Sequence, residues 1–255
     1  MKAQPLSAIA IATGLFLAAI AAVGCSGCAG TETGNPFQVE LRADAHSSDP
    51  AAVAVGDGGA VVVTEAWLAL DSIRLSPSGD CVGSVSMGSA DFGTADHAAE
   101  GAVLSVFEVP EGAYCRALVP FVPAAAPLPA GAPPELEEGS SVVITGELAA
   151  SATPFRLVSR FDRMIAVQAV GDGFLLAPDQ PALFLGFDVA TWLGALDLAG
   201  AEVDGDGVVV IDDGSNADLL SEFEADLAAG IELYRDLDGD GSVDAPDDEL
   251  LARGQ

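Results

Sequence analysis

Carboxylates recur at alternate positions near the C-terminus, in the run Asp236-Leu-Asp-Gly-Asp-Gly-Ser-Val-Asp-Ala-Pro-Asp247. Asp236, Asp238, Asp240, Asp244 and Asp247 take places 1, 3, 5, 9 and 12 of that window, and Ser242 at place 7 offers its backbone carbonyl. Gly241, at place 6, lacks a Cβ and lets the chain wrap sharply. Ca²⁺ takes six to eight oxygens at roughly 2.3–2.6 Å in flexible geometry, and this ligand order supplies them from one tight loop. Val243 is the apolar residue that such a loop turns inward. Place 12 holds Asp rather than the longer, bidentate Glu, so Asp248 or Glu249 can substitute there. The expected cofactor is therefore Ca²⁺, with a Kd of about 10⁻⁴–10⁻³ M or somewhat tighter. A solvated acidic turn is the plainer alternative, since Asp-Gly pairs form turns readily. It does not account for the register of five carboxylates.

The charge around this window sharpens the expectation. The chain of 255 residues carries a formal net charge of −30, and its one lysine is Lys2. From Glu202 to Glu249 stand 17 acids with only Arg235 against them. Such a span repels itself unless a divalent cation neutralises part of it. Adaptation to high salt gives a similar composition but explains no spacing. The same charge excludes nucleic acid as a partner and simple adsorption to an anionic membrane.

The N-terminus sets the compartment. Lys2 precedes an apolar run from Ala8 to Val23, and small residues lead into Cys25, the pattern of an export signal over residues 1–24. Ala22-Val23-Gly24-Cys25 resembles a lipobox, so Cys25 is the expected lipidation site and residues 25–36 a tether. Plain secretion and an uncleaved anchor are the alternatives. The expected partner is the membrane, reached through this lipid, and the expected location is the cell envelope, on the outer membrane. In an oxidising compartment Cys81 and Cys115 are the expected disulfide. Closing a loop of 34 residues adds about 4 kcal/mol on the chain-entropy estimate. Two buried free thiols are the alternative. Cys28 is left over, and no zinc spacing is present.

Residues 37–255 must position these groups. From Phe37 to Phe187 the chain reads as short strands at Phe37–Ala43, Val61–Leu75, Ala102–Val109, Tyr114–Val122, Ser141–Leu148, Phe155–Phe161, Met164–Val170, Phe174–Ala177 and Ala182–Phe187. Turn signals such as Pro110-Glu-Gly112 and Gly171-Asp-Gly173 separate them. The expected fold is mainly β, an antiparallel β-sandwich with two short helices and the C-terminal calcium loop. Asp188 caps the first helix, with Val189, Trp192, Leu193 and Leu196 on one face. Ser215-Asn216 begins the second, with Leu219, Leu220, Phe223 and Leu227 inward. Ala124–Gly139, dense in proline, reads as a semi-rigid connector or a mobile interaction segment. Trp67 and Trp192 read as core residues, and His46 and His97 as solvated side chains in polar loops. Glu202–Asp213 is a degenerate echo of the calcium loop. Val210 stands at its place 9, so Asp204-Gly-Asp-Gly207 reads as a hairpin turn before a strand at Val208–Ile211, with a second metal site as the alternative.

Thr31-Glu-Thr-Gly-Asn-Pro36 after Cys25, Thr64–Arg74, Phe187–Leu193 and the closing Asp-rich loop together resemble a family of uncharacterised Gram-negative lipoproteins. The resemblance implies a surface or periplasmic β-rich lipoprotein and no activity. The loop itself resembles EF-hand and dockerin calcium loops. A dockerin carries two such loops, and here one is intact.

The functional expectation is an envelope-anchored, non-catalytic binding or structural β-sandwich stabilised by calcium, whose outer partner is a protein or a glycan. A glycan hydrolase using a carboxylate pair about 5–9.5 Å apart is one alternative. A carbohydrate- or protein-binding adhesin is the other. Gly-x-Ser-x-Gly and His-Glu-x-x-His are both missing from the sequence.

Overall fold

Alternation of apolar and polar residues makes the first described strand. In β1 (Pro36–His46), Val39, Leu41 and Ala43 are buried while Glu40 and Arg42 face outward, the two-residue period of a pleated strand. The computed structural model describes residues 34–46, 53–56, 59–81, 87–99, 103–179, 182–239 and 248–255. The expected strands appear with shifted ends, the one over Val61–Leu75 as two, and a short helix at Pro134–Glu137 adds to the two helices expected. They are accompanied by short strands that carry no apolar alternation of their own.

In chain order β1 is followed by β2 (Val53–Val55), β3 (Gly59–Leu70), β4 (Ile73–Pro77), β5 (Met87–Ala90), β6 (Gly93–Asp96), β7 (Val103–Pro110) and β8 (Gly112–Pro120). Helix α1 (Pro134–Glu137) precedes β9 (Val142–Leu148), β10 (Thr153–Ser159), β11 (Met164–Ala169), β12 (Phe174–Leu176) and β13 (Leu183–Asp188). Helix α2 (Val189–Gly194), β14 (Val209–Ile211), helix α3 (Ala217–Asp226), β15 (Ile231–Arg235) and β16 (Glu249–Gly254) complete the chain.

Two sheets result. The larger runs β5-β4-β8-β11-β16-β15-β13-β1-β7, with β12 also on β8, and the smaller runs β14-β10-β9-β3-β2, with β6 on β3. The two ends of the larger path meet, because β5 lies against β7. A Cβ on Gly88 would stand 2.7 Å from the Phe107 ring. The architecture is thus mainly β, between a sandwich and a barrel. Among the described residues pairing is antiparallel except for two parallel pairs, β1 with β13 and β10 with β14. The single strand expected over Val61–Leu75 is broken at Asp71-Ser72, because there the chain leaves the smaller sheet for the larger. One large apolar core fills the space between the layers and includes Leu41, Leu68, Val119, Ile144, Leu185 and Phe223.

Asp188 caps α2 as expected. Its carboxylate accepts from the Ala190 N–H at 2.9 Å and from the Thr191 hydroxyl at 2.6 Å. Trp192 is fully buried and donates from Nε1 to the Leu227 carbonyl at 2.9 Å. Trp67 is also buried, under the proline-rich segment, in a separate small cluster with Leu136, Val143 and Val158. The segment's anchor is α1: Leu136 is the plug, and Glu135 pairs with Arg156 at 3.0 Å. That packing favours the connector reading.

Candidate metal centre

β15 and β16 are neighbours in the middle of the larger sheet, and residues 236–248 join them. Asp236 follows β15 directly. Its N–H donates to the Ala182 carbonyl at 2.9 Å, extending the ladder toward β13, and the residue is only 1% exposed. Side chains alternate along a strand, so Arg235 turns to the other face. There it pairs with Glu249 and donates to the Leu175 carbonyl at 2.7 Å. The one arginine of the acidic span is therefore committed elsewhere.

The neck of the loop is laced by backbone donors. Gly239 N–H donates to Asp236 Oδ1 at 2.6 Å, and Leu237 N–H donates to Asp248 Oδ1 at 3.1 Å. Asp236, Asp238 and Asp248 each offer an oxygen, and these oxygens lie within 4.8 Å of one another. Two oxygens bound to one Ca²⁺ are at most about 5 Å apart, twice the metal–oxygen distance. The spacing therefore suits a hard cation, and the three residues form an Asp cluster that could hold a metal ion. Asp248, the substitute ligand foreseen for the end of the loop, is the third member. Asp240, Ser242, Asp244 and Asp247 lie outside the described residues, as do Cys25 and Cys28.

The echo at Glu202–Asp213 is a turn. Asp204 Oδ1 accepts from the N–H groups of Asp206 and Val208, both at 2.9 Å, and Val203 bridges Val209 across it. Asn216 secures the other side. It accepts from Glu202 N–H at 2.8 Å and donates to the carbonyls of Glu202 and Val210. Asn216 was expected at a helix start, and it stands there with a left-handed φ of 50°, but its side chain clamps this hairpin instead of capping α3.

Cys81 and Cys115 form a disulfide, with Cα atoms 5.8 Å apart, tying the turn after β4 to β8.

The histidines correct the sequence reading: neither is a solvated loop side chain. His97 is 1% exposed, its ring edge-on to Phe187. Its Nδ1 lies 3.3 Å from the Ala43 carbonyl. A carbonyl only accepts, so Nδ1 carries the proton, and Nε2 is buried without a partner. Burial lowers its pKa to about 4. His46 ends β1 with its ring over Gly186, and a Cβ there would stand 2.5 Å from His46 Nε2. Burial lowers its pKa too, against the pull of Asp188 and Glu232. The pairing of β1 with β13 in the larger sheet covers His46, and contacts from both sheets bury His97.

A groove of about 610 Å³ is lined by Asp197, Glu202, Asp218 and Glu222 among others. No aromatic ring lines it to stack a sugar, and Asp197 is spent accepting from Gly200 N–H at 3.0 Å.

No protein-family model matches the chain, and no curated protein matches it. Among solved structures it is similar to MbnP from Methylosinus trichosporium, at 14% identity and a TM-score of 0.37, over 68% of this chain and 83% of that one. A likeness that loose supports no inference about function.

Proposed function

We propose that this chain is a non-catalytic β domain, held at the bacterial cell envelope through lipid on Cys25, in which Ca²⁺ closes the hairpin formed by β15 and β16. The observation that carries the metal reading is the convergence of Asp236, Asp238 and Asp248 within 4.8 Å. The sequence adds Asp240, Ser242 and Asp244 at ligand spacing. The ion's role here is cohesive: it ties the end of one central strand to the root of the next. An ion that binds the folded loop but not the extended chain stabilises by RT ln(1 + [Ca]/Kd).

The test is calorimetric titration of the full chain with CaCl₂, alongside melting curves in calcium and in chelator. One site at millimolar affinity or tighter is the expected result. No heat at millimolar calcium, with superimposable melting curves, removes the ion from the account. Anchoring is tested separately: Cys25→Ala should abolish lipid labelling and release the protein from membranes. Protease shaving of intact cells then tells an outward-facing domain, with a protein or glycan partner, from a periplasmic one.

A further inference from the structure

His97 is one of the places where the two sheets are pinned together; the bridge of Leu70 to Phe121 is another. His97 directly follows β6 of the smaller sheet, and its N–H donates to the Ala66 carbonyl of β3 at 2.9 Å. Its own carbonyl accepts from Ala45 N–H of β1, in the larger sheet, at 2.7 Å. The ring adds the Nδ1 donation to Ala43, also on β1. One residue thus bonds to both layers, and its imidazole fills the core beside Phe187.

This socket accepts only the neutral ring. Protonation would put a hydrogen on Nε2, which is buried and faces no acceptor. An unsatisfied buried donor destabilises the fold, and a charged one does so more strongly. The charged groups near the ring do not repair this. Asp96, from β6, is the one that acts on the ring electrostatically. Its Oδ1 is already held by the N–H groups of Ala66 and Ala98 at 2.9 and 3.0 Å. Asp44, from β1, has its carboxyl pushed up by burial and, to a smaller degree, by Asp96. β13 presents the Phe187 ring, which offers no strong acceptor. Asp188 and Glu232 act on His46 instead.

We propose that His97 is an acid-release pin: protonation of its ring expels it from the core and detaches the corner after β6 from β1, while the central strands of the larger sheet stay folded. The device is local because the bonds it breaks are the three that His97 makes, two to β1 across the layers and one to Ala66 of β3 at the end of β6. The pairing of β13, β15 and β16 does not involve it.

The experiment uses the full chain. It contains two histidines, so the imidazole NMR spectrum holds two titrating signals. Amide exchange, normalised for intrinsic rate, is followed at Ala45, His97 and the amides of β15 and β16 from pH 7.5 to 4. Protection at Ala45 and His97 should fall by up to about tenfold per pH unit below 6.5, reaching about 150-fold at pH 4, where the folded ring itself titrates. The β15 and β16 amides should keep theirs. His46→Gln should leave the fall in place, and His97→Asn should abolish it. If His97→Asn does not fold, the wild-type amides still decide. Loss of protection everywhere in one transition, or full protection at Ala45 down to pH 4, overturns the proposal.

Discussion

Replacing Asp238 by Asn tests the metal centre through a reversal of sign. The amide keeps the shape of the side chain and removes one of three clustered charges. Asp238 is exposed, so water's dielectric applies, and two unit charges 4.8 Å apart then repel by about 0.9 kcal/mol. Asp238 takes part in two such pairs, so without a cation Asp238→Asn should stabilise the fold by about 1.7 kcal/mol in low salt. In 10 mM CaCl₂ the wild-type chain gains about 1.4–2.7 kcal/mol for a Kd of about 1–0.1 mM. The variant should lose most of that gain. At roughly 2–4 °C per kcal/mol for a domain this size, both effects amount to several degrees in Tm. The assay is thermal unfolding by circular dichroism of wild type and variant, each in EDTA and in CaCl₂. The variant should melt higher in EDTA, and calcium should close or invert that gap. Parallel shifts of both proteins with calcium, or no shift in either, would refute the argument that these carboxylates share an ion.

Asp248→Asn should behave like Asp238→Asn in the same four melts, because its amide oxygen can still accept from Leu237 N–H while its charge is gone; an undiminished calcium response would take Asp248 out of the site. Trp192→Phe should cost about 2–4 kcal/mol in urea unfolding, from the space left in the core and the orphaned Leu227 carbonyl. Replacing Cys81 and Cys115 by Ala should lower stability by about 4 kcal/mol at most, the chain-entropy value for a separation of 34, read from the same unfolding curves. Asp44 and His97 oppose each other in acid. Burial pushes the Asp44 carboxyl up to about 6, so its ionisation costs stability at neutral pH, and the cost fades as pH falls toward 3.8. His97 is held down at about 4, so its contribution is whole above 6.5 and is lost as pH falls toward 4. Asp44→Asn should therefore raise stability at pH 7.5 and steepen the loss between pH 6 and 4; an unchanged slope would count against it.

The sequence by itself determined what depends on neighbours along the chain. Alternation in Phe37–Ala43 and the apolar runs at Tyr114–Val122 and Ala182–Phe187 identified strands, because burial on one or both faces leaves its period in the residues. Asp188 announced its helix, since a cap needs only the next few N–H groups. The spacing of Asp236 and Asp238 placed two members of the Asp cluster for the same reason. Tertiary structure decided the rest. Met87–Ala90 and Gly93–Asp96 lack alternation and are strands only because β4 and β3 hold them. Leu250-Leu-Ala252 sits in an acidic tail and becomes a central strand by pairing with β15 and β11. His97 lies among polar residues and is nonetheless core, because β1 and β3 close over it from different sheets. The loop shows both contributions: place 12 left Asp247, Asp248 and Glu249 open in sequence, and the pairing of β16 with β15 carries Asp248 back to Asp236. Local spacing sets which atoms can bind an ion; the register of two distant strands sets which of them meet.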